Sequence, residues 1–113
     1  MAVEEELRQN IREFIESGND DLAKARYNSA VSAYFKAIAV LCDLKLYQKQ
    51  RILPKNHSER FLFLQIHFPE AYSLLKELFE KYTDSYNLRL GKVDAELLKE
   101  NVDKIKRIFG FKD

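Results

Sequence analysis

The chain has no tryptophan, one cysteine, two prolines and three glycines, and neither sign of charge dominates. A single cysteine, Cys42, excludes an intrachain disulfide and points to a reducing compartment. With 19 lysines and arginines against 18 aspartates and glutamates, there is no cationic excess of the kind a DNA- or RNA-coating protein needs, though a local basic patch is still allowed. No window reaches the ~18 uncharged apolar residues of a membrane span. The opening Met1-Ala-Val-Glu-Glu-Glu is acidic where a signal peptide would be basic and then apolar, so the expectation is a soluble cytoplasmic protein. There is no repeat, low-complexity tract or linker, and residues 1–113 read as one domain.

What the chain does have is an apolar stretch from Asp21 to Leu46. Its middle, Ala30-Val-Ser-Ala-Tyr-Phe-Lys-Ala-Ile-Ala-Val-Leu-Cys42, is interrupted mainly by Ser32 and Lys36. A helix apolar on nearly all sides must be surrounded by others, which makes this segment the central rod of a bundle. Ala30, Ala33 and Ala37 would let neighbouring backbones approach it closely. Before it, Val3, Leu7, Ile11, Phe14 and Ile15 mark an amphipathic helix over 3–17. Gly18 is read as its end and Asn19-Asp20 as a cap for the next, so the first two helices form an antiparallel hairpin.

The second helix is expected over 21–47, followed by a polar connection closed by Pro54. Asn56 and Glu59 have the spacing of a capping box, starting a third helix over 57–67. The run Phe61-Leu-Phe-Leu-Gln-Ile-His-Phe68 also suits a buried strand, but no second strand exists to pair with it, so it is read as helix. Pro69 opens a fourth helix over 69–88, with Ala71, Leu75, Leu78, Tyr82 and Tyr86 on one stripe. Gly91 breaks the pattern, and Asp94 caps a fifth over 95–109 with Leu98, Val102, Ile105 and Phe109 inward. The fold class is all-α, a single up-and-down bundle of about five helices.

Residue chemistry alone displays no catalytic constellation. His57 is either a water-exposed residue at a helix start or, beside Lys55 and Arg60, a cleft residue able to contact phosphate or act as general acid or base. His67 reads as a partly buried packing residue. Two histidines ten residues apart without nearby cysteines do not make a metal site, and no cofactor is implied. Lys45, Lys49, Arg51, Lys55 and Arg60 cluster with Tyr47 around the second connection, a composition that suits phosphate and base stacking, or simply a solvated loop. Lys81 and Asp84 are spaced to pair, and Tyr82 and Tyr86 to share a face and anchor the fifth helix, or else to line a cleft. Eight phenylalanines and six tyrosines exceed what a small core needs, and the Phe61–Phe68 run is the candidate self-association face.

Three segments carry a resemblance. Ala25-Arg-Tyr-Asn-Ser-Ala-Val-Ser-Ala-Tyr-Phe-Lys-Ala-Ile38, the connection Pro54-Lys-Asn-His57, and Tyr82-Thr-Asp-Ser-Tyr86 before a last helix resemble, in order and spacing, the HEPN domains (higher eukaryotes and prokaryotes nucleotide-binding), over roughly Asp21 to Phe109. The resemblance implies a helical bundle that commonly dimerises, found beside nucleotidyltransferases and in toxin–antitoxin and other defence settings. Active members are metal-independent ribonucleases with a closely spaced arginine and histidine at the mouth of a dimer cleft. This chain departs from that pattern. Between Glu80 and Leu90 there is no histidine and Arg89 comes too late. Lys81 stands near the arginine's place and Tyr86 or Asn87 near the histidine's, and neither pair offers both imidazole and guanidinium. Arg51 and His57 have a suitable spacing but straddle Pro54 in a connection.

The resemblance therefore implies a dimeric interaction module without catalysis, associated with nucleotide or RNA and partnered with a nucleotidyltransferase or toxin–antitoxin component. Its ligand-binding candidates are Lys49, Lys55, Lys81, Asp84 and Tyr86. The alternatives are a ribonuclease using His57 with Arg51 or Arg60, and a generic protein–protein scaffold.

Overall fold

The apolar middle of the chain becomes the second of five α-helices in a computed structural model that describes residues 2–112: α1 (Val3–Ala23), α2 (Tyr27–Gln50), α3 (His57–His67), α4 (Pro69–Asp84) and α5 (Lys92–Phe109). Met1 and Asp113, the ends of the expected domain, lie outside the described residues. α2 packs against each of the other four helices. Its Ala30, Val31, Phe35, Ala37, Ile38 and Cys42 have no exposed surface, as a rod enclosed by amphipathic partners must. Inward stripes of Ala71, Leu75, Leu78 and Tyr82 on α4 and Leu98, Val102, Ile105 and Phe109 on α5 complete the core. The Phe61–Phe68 run is helical as expected through His67, and Phe68 is the non-helical residue that joins α3 to α4. No helix among the described residues is long and apolar enough to cross a membrane.

The boundary of α1 differs from expectation. Gly18 does not end the helix; it lies buried inside it, where a Cβ would fall 2.5 Å from Cε1 of Tyr34. The glycine is there so that the tyrosine ring can reach the α1 backbone. Nor does Asn19 cap α2: its Oδ1 accepts a 2.6 Å hydrogen bond from the Tyr34 hydroxyl. Asp20 and Asp21 are the last acidic residues of α1 and hold Arg26, the residue before α2, at 3.0 and 2.8 Å. The chain then turns in three residues, with Ala25 at a left-handed φ of 59°. Pairings of residue 18 with 34 and 14 with 36 run in opposite senses, so α1 and α2 form the expected antiparallel hairpin.

Smaller shifts occur elsewhere. The Asn56 side chain caps α3 by accepting from the Glu59 N–H, while Glu59 reaches back to the N–H of Lys55 rather than Asn56. α4 stops at Asp84, four residues early, and Tyr86 leaves the buried stripe. α5 starts at Lys92 with Gly91 at its N-cap, so Asp94 lies in the first turn and accepts the Gly91 N–H at 2.9 Å.

Candidate functional site

The polar centre of the bundle lies where α3 crosses α2. An acidic residue on a rod buried all round must find a cation, because an unpaired charge in that environment is prohibitively costly. Asp43, between Cys42 and Leu44, finds Arg60. Arg60 Nε donates to Asp43 Oδ1 at 2.7 Å and Nη2 to Oδ2 at 2.8 Å, with side-chain exposures of only 12% and 10%. Burial tends to release the arginine's proton, but the hydrogen bonds and negative charge of Asp43 outweigh it, and the guanidinium is held more firmly protonated than usual.

The remaining arm of Arg60 turns to His57. Nη1 lies 2.9 Å from His57 Nδ1. A guanidinium only donates, so Nδ1 accepts and the neutral ring carries its proton on Nε2. Burial, then the adjacent Arg60 charge, lowers the histidine's pKa, with Asp43 opposing. The imidazole is set among rings: 5.1 Å from Phe79, 5.8 Å from Tyr82 and 6.0 Å from Phe35 between centroids. Phe35 stacks on Tyr82 at 4.5 Å. Tyr82, whose pKa burial raises to about 12, shares a 2.9 Å hydroxyl contact with Tyr86, and Tyr86 is 74% exposed. The result is a chain of groups from the buried Asp43 through Arg60 and His57 to a tyrosine at the surface.

This geometry redistributes the residues singled out from the sequence. Arg60 and His57 meet; Arg51 does not join them, since it is the exposed C-cap of α2 with its guanidinium over the Tyr47 ring at 5.0 Å. Two members of the basic cluster around the second connection are engaged within the fold. Arg60 is taken by Asp43, and Lys45 donates to the Phe109 carbonyl at 3.0 Å while lying over Phe111 at 5.5 Å. Lys49 and Lys55 are exposed. Lys81 does not pair with Asp84 but with Asp94, at 2.7 Å; that bond chiefly raises the lysine's pKa and lowers the aspartate's. Asp84 is partly buried at the end of α4, where its carbonyl accepts the Leu88 N–H. Tyr82 and Tyr86 meet edge-on, and Tyr82 stacks on Phe35 of α2. His67, the last residue of α3, is partly buried.

Two residues with roles here were passed over in the sequence. Asp43 carried the plainer signal, a carboxylate inside an apolar run. Asn28 carried none: its amide donates to the Ser85 and Leu88 carbonyls at 2.9 and 2.6 Å and its oxygen accepts the Leu90 N–H at 3.0 Å, fastening the α4–α5 connection to the start of α2. No group of three or more histidines, cysteines, aspartates or glutamates able to hold a metal occurs among the described residues. Comparison with family models, curated proteins and solved structures finds no match.

Proposed function

We propose that the chain is a HEPN-like helical domain acting as a dimeric interaction module, associated with nucleotide or nucleic acid and with a separate partner such as a nucleotidyltransferase or toxin–antitoxin component. One observation carries the dimer: every exposed residue of α3 is uncharged. Ser58, Leu62, Gln65 and Ile66 face out, with Leu62 and Ile66 at 52% and 63% exposure, whereas Glu59 and Arg60 turn back to Lys55 and Asp43. In a chain that is 33% charged, a neutral helical face suits a two-fold contact, where a charge near the axis would meet its own copy. The partner surface is aliphatic rather than aromatic. No phenylalanine is exposed, because Phe61 packs edge-on against Phe79 and Phe68 against Phe109.

Sedimentation velocity at micromolar concentration tests this. Wild type should run as a dimer and Leu62→Glu/Ile66→Glu as a folded monomer; a monomeric wild type sinks the reading. Titration with ATP and a short RNA tests the nucleotide association, and silence in both leaves a scaffold.

The 2.9 Å approach of Arg60 to His57 favours a second reading, a metal-independent ribonuclease using those two residues. Against it, the bond to Arg60 leaves Nε2 protonated and unable to accept a proton, so His57 is no general base in this arrangement. RNA cleavage without metal, equal in wild type and His57→Ala, removes the histidine from any mechanism.

A further inference from the structure

At the end of the bundle remote from the α1–α2 turn, residues 109–112 form a hook. Gly110 takes a left-handed φ of 73°, and the Phe111 N–H returns to the Lys106 carbonyl at 2.9 Å. The Phe111 ring is fixed edge-on to Phe109 at 5.8 Å and lies beneath the Lys45 ammonium. This hook walls a slot of about 110 Å³ whose apolar surfaces are Ile11, Ile15, Leu41, Leu44 and Phe111. Its polar rim is cationic: Arg8 and Arg12 on one side, Lys106 and Lys112 on the other, with no carboxylate among the lining residues. No ion pair to Arg8, Arg12 or Lys112 is found among the described residues. The adjoining depressions set Glu4 and Glu5 beside Arg8 and Arg12 on one side, and Asp103 beside Lys106 and Arg107 on the other.

We infer that this slot binds an acidic peptide segment of a partner protein through one apolar anchor side chain flanked by carboxylates. Volume and charge select that occupant together. A drug-sized ligand or nucleotide cofactor needs about 300 Å³ or more and a benzene-sized group about 150 Å³, so a slot of about 110 Å³ is sized for a single aliphatic side chain such as leucine. Arg8 and Arg12 on one side and Lys112 on the other favour negative charge on both sides of the anchor residue. A peptide supplies that arrangement by alternating acidic residues about one apolar residue, and Arg8 and Arg12, one helical turn apart, present two guanidinium forks to it. The site is separate from the uncharged face of α3, and it deepens the interaction-module reading by giving the partner a chemistry.

The test is fluorescence anisotropy with the full chain and a labelled peptide, Glu-Asp-Glu-Leu-Phe-Glu-Asp-Glu, at low ionic strength. Two control peptides replace Leu-Phe by Ser-Ser or all carboxylates by their amides. Saturable binding is expected, weakened about tenfold or more by either control and by Arg8→Glu/Arg12→Glu. Both arginines are exposed, so the variant should keep the wild-type circular dichroism; Phe111→Ala, read alongside, should weaken binding without altering charge. Absence of binding overturns the proposal. So does equal affinity for the Ser-Ser peptide, which would mean bulk charge attraction, or equal binding by Arg8→Glu/Arg12→Glu. If that variant instead abolishes dimerisation, the slot belongs to a second copy of the chain and the inference fails. Leu62→Glu/Ile66→Glu should bind the peptide as wild type does, which separates this outcome from the fate of the dimer.

Discussion

Arg60 grips Asp43 with two parallel hydrogen bonds, and this contact ties the short α3 to the central rod. α3 contributes only Leu64 to the fully buried core, with Phe61 and Phe63 packed against it, and the ion pair adds to that attachment. Both charges are shielded from water. Removal of one therefore leaves the other stranded, which typically costs about 3–5 kcal/mol, whereas replacing both by apolar residues of similar volume is often close to neutral. Asp43→Ala should lose stability on that scale in urea denaturation at neutral pH, and Asp43→Leu/Arg60→Met should recover most of it. Arg60→Lys should behave as a disruptive change, because an ammonium cannot span both carboxylate oxygens. A loss under about 1 kcal/mol for Asp43→Ala would show that water reaches the pair freely.

His57 gives the fold a pH dependence whose sign follows from its lowered pKa. Above about pH 6.5, the ordinary histidine value, the ring is neutral in folded and unfolded chains and its contribution is fully present. As pH falls below that value the unfolded ring takes up a proton first, so stability declines until the pH passes the lower folded-state pKa. Arg60 opposes protonation and Asp43 favours it, and burial is the largest cause. Denaturation midpoints between pH 7 and pH 5 should fall more steeply for wild type than for His57→Gln, which keeps an acceptor for Arg60 but does not titrate. Parallel profiles would remove His57 as the source.

The contrast between what was and was not legible beforehand has a physical basis. Helical periodicity reports burial, so the inward stripes of α4 and α5 and the enclosed rod were readable from apolar spacing alone. Glycine is ambiguous in a sequence. It ends helices through a left-handed backbone, as Gly110 does, or admits a neighbour at close range, as Gly18 does. Only the neighbour's position separates the two, and Tyr34 is sixteen residues away in sequence. Polar pairing has the same character: Lys81 had a plausible partner one turn away in Asp84 and took Asp94 instead. The candidate site was half visible, since His57 and Arg60 could be nominated by type, but their orientation depends on Asp43, which belongs to another helix.

The Gly18–Tyr34 contact sets two opposing effects against each other. Alanine is better than glycine in a helix by about 1 kcal/mol, yet its methyl would lie 2.5 to 2.9 Å from three ring carbons of a fully buried tyrosine. Overpacking of this kind costs about 1–3 kcal/mol, and the ring has no exposed route to retreat. Gly18→Ala should thus be net destabilising despite its helix propensity. Tyr34→Phe keeps the ring and loses the bond to Asn19, for about 1 kcal/mol. Chemical denaturation reads both, and a stabilised Gly18→Ala would mean the hairpin can open at that point.

Asn28 supports the α4–α5 connection from the first turn of α2, with three hydrogen bonds from one amide. Backbone hydrogen bonds return residues 85–88 to the last turn of α4, Asn28 ties Leu90 to α2, and Tyr86, Leu88 and Arg89 are exposed. The amide thus anchors the far end of a segment that meets the Tyr82–His57 end of the polar chain through the Tyr86 hydroxyl. Asn28→Ala should release the segment locally and leave the core intact. Hydrogen exchange at the Leu90 N–H should accelerate markedly, while exchange in the middle of α2 shifts only with a global loss of about 1–3 kcal/mol. Asn28→Asp should fall between the two, because a carboxylate still accepts from Leu90 but cannot donate to the Ser85 and Leu88 carbonyls. Unchanged exchange at Leu90 in the alanine variant would show that the connection orders itself without the amide.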